Sequence, residues 1–112
     1  MPSIKLETSV SLTKEEKNTL ALEITTLAAE LLNKPVEYVQ VRVEGDVSIA
    51  FGGSISDASA FLSIAMIGNI APDTRASLPE KFGGLLEKYG IDRNKLFLNY
   101  TETAPEAWGW CF

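Results

Sequence analysis

Histidine is missing from the 112-residue chain. Its absence removes the side chain that most often carries a proton near neutral pH, and with it His-based nucleophile triads and most zinc sites. Cysteine is almost missing too. Cys111 stands alone, so no intrachain disulfide can form, and with no histidine to activate it the thiol reads as a C-terminal packing group. Such sparing use of cysteine suits a reducing cytoplasm. Positive charge is in deficit, with ten Lys and Arg against fifteen Asp and Glu and a formal charge of −5. That balance disfavours nucleic acid and anionic membrane as partners, without forbidding one local cationic pocket for a small acid. Long apolar runs are lacking as well. The longest, Ala60 to Ile70, is broken by Ser63, Gly68 and Asn69 and is too short to span a bilayer. The first residues lack a charged segment followed by an apolar one, so no signal peptide is expected and the expected location is cytoplasmic. Any enzyme built from this chain must take its proton carrier from Asp, Glu, Lys, Tyr or a terminus.

What is present is enough for a globular core. Hydrophobic residues make up 46 % of the chain, and the length fits one domain covering residues 1–112. Ser3 to Val10 alternates, with Ile4, Leu6, Thr8 and Val10 opposite Lys5, Glu7 and Ser9, which predicts a strand with one wet face. Thr13-Lys14-Glu15-Glu16 fits a capping box. Leu20, Ile24, Leu27, Ala28 and Leu31 then form one helical stripe ending near Asn33, with Pro35 beyond. Tyr38 to Glu44 alternates again, Gly45-Asp46 turns, and Val47 to Phe51 is a short strand closing on Gly52-Gly53-Ser54. The second half repeats this plan. Ala58 to Ile67 is apolar at nearly every position, as in a strand covered on both faces. A helix follows, starting either near Leu78 with Pro79 in its first turn or near Asp73 with a kink at Pro79. Gly90 suits a helix end, Leu96 to Thr101 a strand, and Ala104 to Ala107 a turn before an aromatic tail, Trp108 to Phe112. The expected fold is therefore α+β. Two β-α-β units with parallel, right-handed crossovers make a four-stranded sheet with both helices on one face and short extra strands. Val39, Val41, Val43 and the apolar strand 58–67 then leave a greasy face that only further copies of the chain could cover.

Four features bear on function. Pro2 directly follows Met1. Removal of Met1 would leave Pro2 a secondary amine able to take a proton, whereas with Met1 in place Pro2 merely starts a strand. Lys34, just past a helix end, either solvates the last carbonyls or offers a cation. Asn99 lies inside the apolar strand Leu96 to Tyr100, on the same face as Phe97, where its amide needs partners in the core or in a site. Trp108 and Trp110 belong either to the core or to the wall of an aromatic pocket. Phe51-Gly52-Gly53-Ser54 is not a phosphate loop, since the lysine and the helix that such a loop needs are missing. The acidic pairs Glu15-Glu16 and Glu102…Glu106 read as a solvated helix start and a loop.

In order, Pro2 after Met1, Asn33-Lys34-Pro35, Phe51-Gly52-Gly53-Ser54, Ser63-Ile64-Ala65-Met66-Ile67-Gly68, Asn99-Tyr100 and Gly109-Trp110 resemble the macrophage migration inhibitory factor family of the tautomerase superfamily, which includes D-dopachrome tautomerase. The resemblance runs from Pro2 to Phe112 and implies a homotrimer whose sheets form a barrel, with active sites at subunit boundaries. It implies an isomerase, a keto–enol tautomerase of small aromatic α-keto acids such as phenylpyruvate or dopachrome-like compounds, needing neither metal nor cofactor. By the same resemblance Pro2 is the catalytic base, Lys34 and the Ile67 N–H hold the substrate carboxylate, and Phe97 (usually tyrosine) and Asn99 lie beside it. Phe97 would reach in from a neighbouring subunit. Tyr38, Trp108, Trp110 and Phe112 match pocket walls. Ser59 and Leu62 replace a Cys-x-x-Cys of animal members, so thiol–disulfide oxidoreductase activity is not expected. The alternatives are a non-enzymatic, cytokine-like binding protein on the same scaffold, or isomerisation of an unsaturated diacid with Arg42 or Arg75 as a second cation.

Overall fold

A computed structural model describes residues Met1–Phe112. The first strand, β1 (Pro2–Thr8), leads to helix α1 (Lys14–Leu32), β2 (Gln40–Glu44) and a hairpin of β3 (Ile49–Phe51) and β4 (Ser54–Ser56). The second half holds β5 (Ala60–Ile67), α2 (Pro72–Glu87) and β6 (Leu96–Thr103). The main sheet runs β2-β1-β5-β6. β1 pairs β2 in parallel, β5 pairs β6 in parallel, and the two units meet antiparallel along β1 and β5. The doubled β-α-β plan is thus observed, with both helices against one face. Ile4, Leu6, Leu62, Ile64 and Met66 from the sheet pack with Leu20, Ile24, Ala28 and Leu32 of α1 and Leu78, Phe82 and Leu86 of α2 in one cluster. No helix is long and apolar enough to cross a membrane.

Local chemistry explains the boundaries. The capping box is present: Thr13 Oγ1 accepts the Glu16 N–H at 3.1 Å and Glu16 Oε1 accepts the Thr13 N–H at 2.8 Å. Asn33 ends α1 in a left-handed conformation, φ 54°, which asparagine adopts more readily than most residues. Gly52 and Gly53 both have positive φ, as a two-residue hairpin turn demands. α2 begins at Pro72 and runs through Pro79, so of the two starts read from the sequence the earlier one is correct.

Other expectations need correction. Val36–Tyr38 form a turn of 3₁₀ helix, not the start of a strand, because the Tyr38 N–H bonds back to the Pro35 carbonyl at 3.1 Å. β5 is covered on one face only, since its alternate residues Phe61, Ser63, Ala65 and Ile67 are not buried. Val39, Val41 and Val43 pack toward the helices. The open face carries Lys5, Glu7, Arg42 and Glu44 instead, with Lys5 3.8 Å from both Glu7 and Glu44. Within one chain the greasy uncovered surface is therefore smaller than expected and centres on Phe61 and Phe97, which line one hollow. Asn99 is exposed on this open face rather than buried, with Thr101 as its neighbour. Glu102 is no loop residue: it lies within β6, one residue before its end, and accepts the Ile70 N–H at 2.6 Å. Ser59, at the first of the two cysteine positions, is a buried anchor whose hydroxyl donates to the Lys95 carbonyl at 2.7 Å.

Candidate active site

The strand directions gather four chain segments at one end of the sheet. The starts of β1 and β2 and the ends of β5 and β6 all lie there. After β6 the chain makes a 3₁₀ turn at Pro105–Ala107 and its tail comes to rest against Tyr38. The Phe112 ring stacks on the Tyr38 ring at 5.8 Å between centroids and 6° between planes. Between tail and sheet is a cleft of about 510 Å³, lined by Pro2, Ser3, Glu37, Tyr38, Trp108 and Trp110 among others. Its size suits a small aromatic ligand.

Pro2 is fully buried. In the 112-residue chain the free amine is carried by Met1, and Pro2 nitrogen is an amide. That amine is pulled below its ordinary value, first by burial and second by the Lys34 charge. Both causes disfavour a cation. Lys34 is placed by the helix end: Asn33 turns left-handed, the Lys34 N–H bonds the Ala29 carbonyl at 3.0 Å, and Pro35 starts the 3₁₀ turn that delivers Tyr38. Ser3 Oγ donates to Gln40 Oε1 at 2.9 Å and ties β1 to β2 at the cleft floor.

Of the residues singled out in the sequence, Pro2, Tyr38, Trp108, Trp110 and Phe112 line this cleft. Lys34 acts on it electrostatically. Ile67 ends β5 one residue beyond Met66, which faces Pro2 in the register. Phe97 and Asn99 are not brought to it. Asn99 lies beside Ser63, and Ser63 beside Lys5, which puts Asn99 about 10 Å along the strands and about 10 Å across them from Pro2. Phe97, 59 % exposed, sits against Phe51 at 5.4 Å and lines a separate hollow with Phe61. Arg42 points out from β2 on the open face, and Arg75 lies 3.7 Å from Glu102; within one chain neither lines the cleft. Glu37 and Gln40 do line it and were not anticipated. Their signal was their place on either side of Tyr38, at the end of the turn that enters β2. A wider furrow of about 630 Å³ between α1 and α2, lined by Leu22, Leu27 and Leu85 with Glu23 and Lys88 at its rim, holds no comparable base.

A cleft with aromatic walls and an amine held below its ordinary value by burial and by the Lys34 charge has the elements of a proton-transfer site. The family model described as macrophage migration inhibitory factor matches residues 1–111. The macrophage migration inhibitory factor homolog of Trichinella spiralis is 31 % identical over 98 % of this chain and 96 % of its own length. D-dopachrome decarboxylase of Xenopus tropicalis is 28 % identical over 94 % of this chain and 89 % of its own. The crystal structure of a macrophage migration inhibitory factor-like protein from Entamoeba histolytica is similar at a TM-score of 0.89 and 29 % identity, covering 98 % of this chain and 95 % of that one.

Proposed function

The chain belongs to the macrophage migration inhibitory factor family, and on that premise we propose that it is a keto–enol tautomerase of aromatic α-keto acids such as phenylpyruvate, working as a homotrimer after loss of Met1. The observation that carries the reading is the burial of Pro2 in an aromatic cleft where a chain-terminal amine is held below its usual value, partly by Lys34. With Met1 gone, the free amine becomes the ring nitrogen of Pro2, one residue deeper. A ring amine is intrinsically basic, and burial beside a cation is what brings such a base toward working pH.

The steps balance without metal or cofactor. Neutral Pro2 nitrogen takes a proton from the carbon beside the ketone, the electron pair moves to the carbonyl oxygen, and the protonated ring returns the proton to that oxygen. The reverse path runs from enol to keto acid. Lys34 and the Ile67 N–H hold the carboxylate, while Tyr38, Trp108, Trp110 and Phe112 enclose the ring. Asn99 of a neighbouring copy donates to the oxygen as charge develops, and its Phe97 closes the wall. The separation of Phe97 and Asn99 from Pro2 within one chain, and the exposure of Phe97, support a site completed by a second copy. One positioned base contributes about 10²–10⁴-fold to such a reaction, and orientation and electrostatics supply the rest.

The test is Pro2→Gly, with intact mass to establish Met1 removal in both proteins and enol–keto conversion of phenylpyruvate as the assay. The variant should lose at least about 100-fold in kcat/KM. Wild-type protein free of Met1 that converts no substrate above the solvent rate sinks the enzyme reading and leaves the cytokine-like binding protein. Retention of Met1, which makes Pro2 an amide, has the same consequence.

A further inference from the structure

We infer that Thr103 is a positioning residue for the substrate carboxylate, acting through the peptide bond between Met66 and Ile67. The inference rests on the tautomerase reading and on the Ile67 N–H as a carboxylate donor. Thr103, the last residue of β6, lies beside Ile67 in parallel register. Its hydroxyl donates to the Met66 carbonyl at 3.0 Å, and its own carbonyl accepts the Gly68 N–H at 3.0 Å. Thr103 therefore grips the chain on both sides of Ile67.

The Met66 carbonyl and the Ile67 N–H belong to one peptide unit. No peptide in the chain is cis, so the two groups of that unit point in opposite directions. β5 lies between β6 and β1. A carbonyl turned to Thr103 on the β6 side sends the Ile67 N–H to the β1 side, where Pro2 faces Met66. A hydrogen bond donated to a peptide carbonyl polarises the N–H of the same unit and strengthens what that N–H donates by about 10–30 %. The hydroxyl adds this bond to whatever the parallel ladder already gives the Met66 carbonyl. Beyond Thr103 the next stretch is held separately: Glu102 accepts the Ile70 N–H at 2.6 Å and lies 3.7 Å from Arg75. The Thr103 hydroxyl is thus the group whose loss would act on the Ile67 N–H without freeing the loop that follows.

Thr103→Val keeps the shape and β-branching and removes the hydroxyl, whereas Thr103→Ser keeps the hydroxyl. Both are made in the full chain, with Met1 removal verified by mass. Steady-state kinetics on phenylpyruvate are read beside the amide proton shift of Ile67, with and without phenylpyruvate. Thr103→Val should raise KM about 1.3- to 4.6-fold, the change expected from weakening one charge-assisted bond by that fraction. It should leave kcat within about twofold and move the free-state Ile67 amide proton upfield. Thr103→Ser should restore both readouts. An unchanged KM with an unchanged Ile67 shift overturns the inference. So does equal impairment of the Ser and Val variants, which would mark a packing role, and so does a fall in kcat at constant KM. If the wild-type Ile67 amide fails to respond to phenylpyruvate, the failure lies in the carboxylate assignment, and the inference falls with it.

Discussion

Replacing Lys34 by Gln separates two roles that one charge would play. The first is anchoring. Lys34 is partly buried at the turn after α1. Its bond to a carboxylate then falls between the ~0.2–1 kcal/mol of an exposed pair and the ~1.5–3 kcal/mol of a hydrogen bond to a charged group. Taking about 1–2 kcal/mol, KM for phenylpyruvate should rise about 5- to 30-fold. The second role is electrostatic. The Met1 amine is held down first by burial and second by Lys34; the Pro2 amine of the proposal takes its place one residue further in and should feel the same two causes, of which Gln removes only the second. The base works when neutral, so activity rises with pH through the amine's pKa, and losing the cation raises that pKa. The acid limb of kcat must therefore move to higher pH, by less than the full displacement, because burial persists. The kcat deficit should be largest on the acid limb and vanish on the alkaline plateau, while the KM deficit stays on both. Initial rates of enol–keto conversion from pH 5 to 9, corrected for the solvent reaction, measure both effects, and Lys34→Arg should bring the limb back. Superimposable profiles for wild type and Lys34→Gln would refute the reasoning. A raised KM with an unmoved limb would refute the electrostatic half alone.

Two further outcomes are expected. Thr13→Ala deletes the hydroxyl half of the capping box and should cost about 1 kcal/mol in denaturant unfolding, with kcat/KM unchanged; an unmoved midpoint would mean that the start of α1 contributes nothing to stability. Phe97→Tyr adds a hydroxyl where a neighbouring copy's cleft is proposed to close, and one new hydrogen bond in the transition state should raise kcat about 2- to 12-fold. An unchanged kcat would argue that the ring of Phe97 does not reach the substrate.

Much of the fold is legible because alternation and helical spacing are local. Ile4, Leu6 and Thr8 announce a half-buried strand, and all three are fully buried in the structure. What alternation cannot say is which face goes inside. The row Val39, Val41, Val43 has a clear apolar side, but only the position of α1 and α2 decides whether that side meets helices or solvent, and it meets helices. The same blindness left Asn99 open between the core and a site. Alternation put Asn99 and Phe97 on one face but did not say which way that face points; Leu98 and Tyr100 pack inward, so the row of Phe97 and Asn99 is the outward one. Tyr38 was misread for a different reason: a proline three residues earlier turns the chain before the strand can begin.

The cleft is harder to read because it joins residues 1–3, 37–40 and 107–112, and no spacing in the chain records that meeting. The sheet order does. Chain ends usually fray, and an amine on a frayed end is solvated and keeps its ordinary basicity. Here the first strand is not an edge: β1 has β2 on one side and β5 on the other, so the start of the chain is gripped from both sides and Pro2 is fully buried. The tail then returns to cover that start, Phe112 on Tyr38. On the proposed reading, a chain with no histidine makes its base in this way, by taking an amine that every chain possesses and moving it to a place where its charge is costly. The position of β1 in the interior of the sheet is thus as much a condition for the proposed chemistry as proline at position 2.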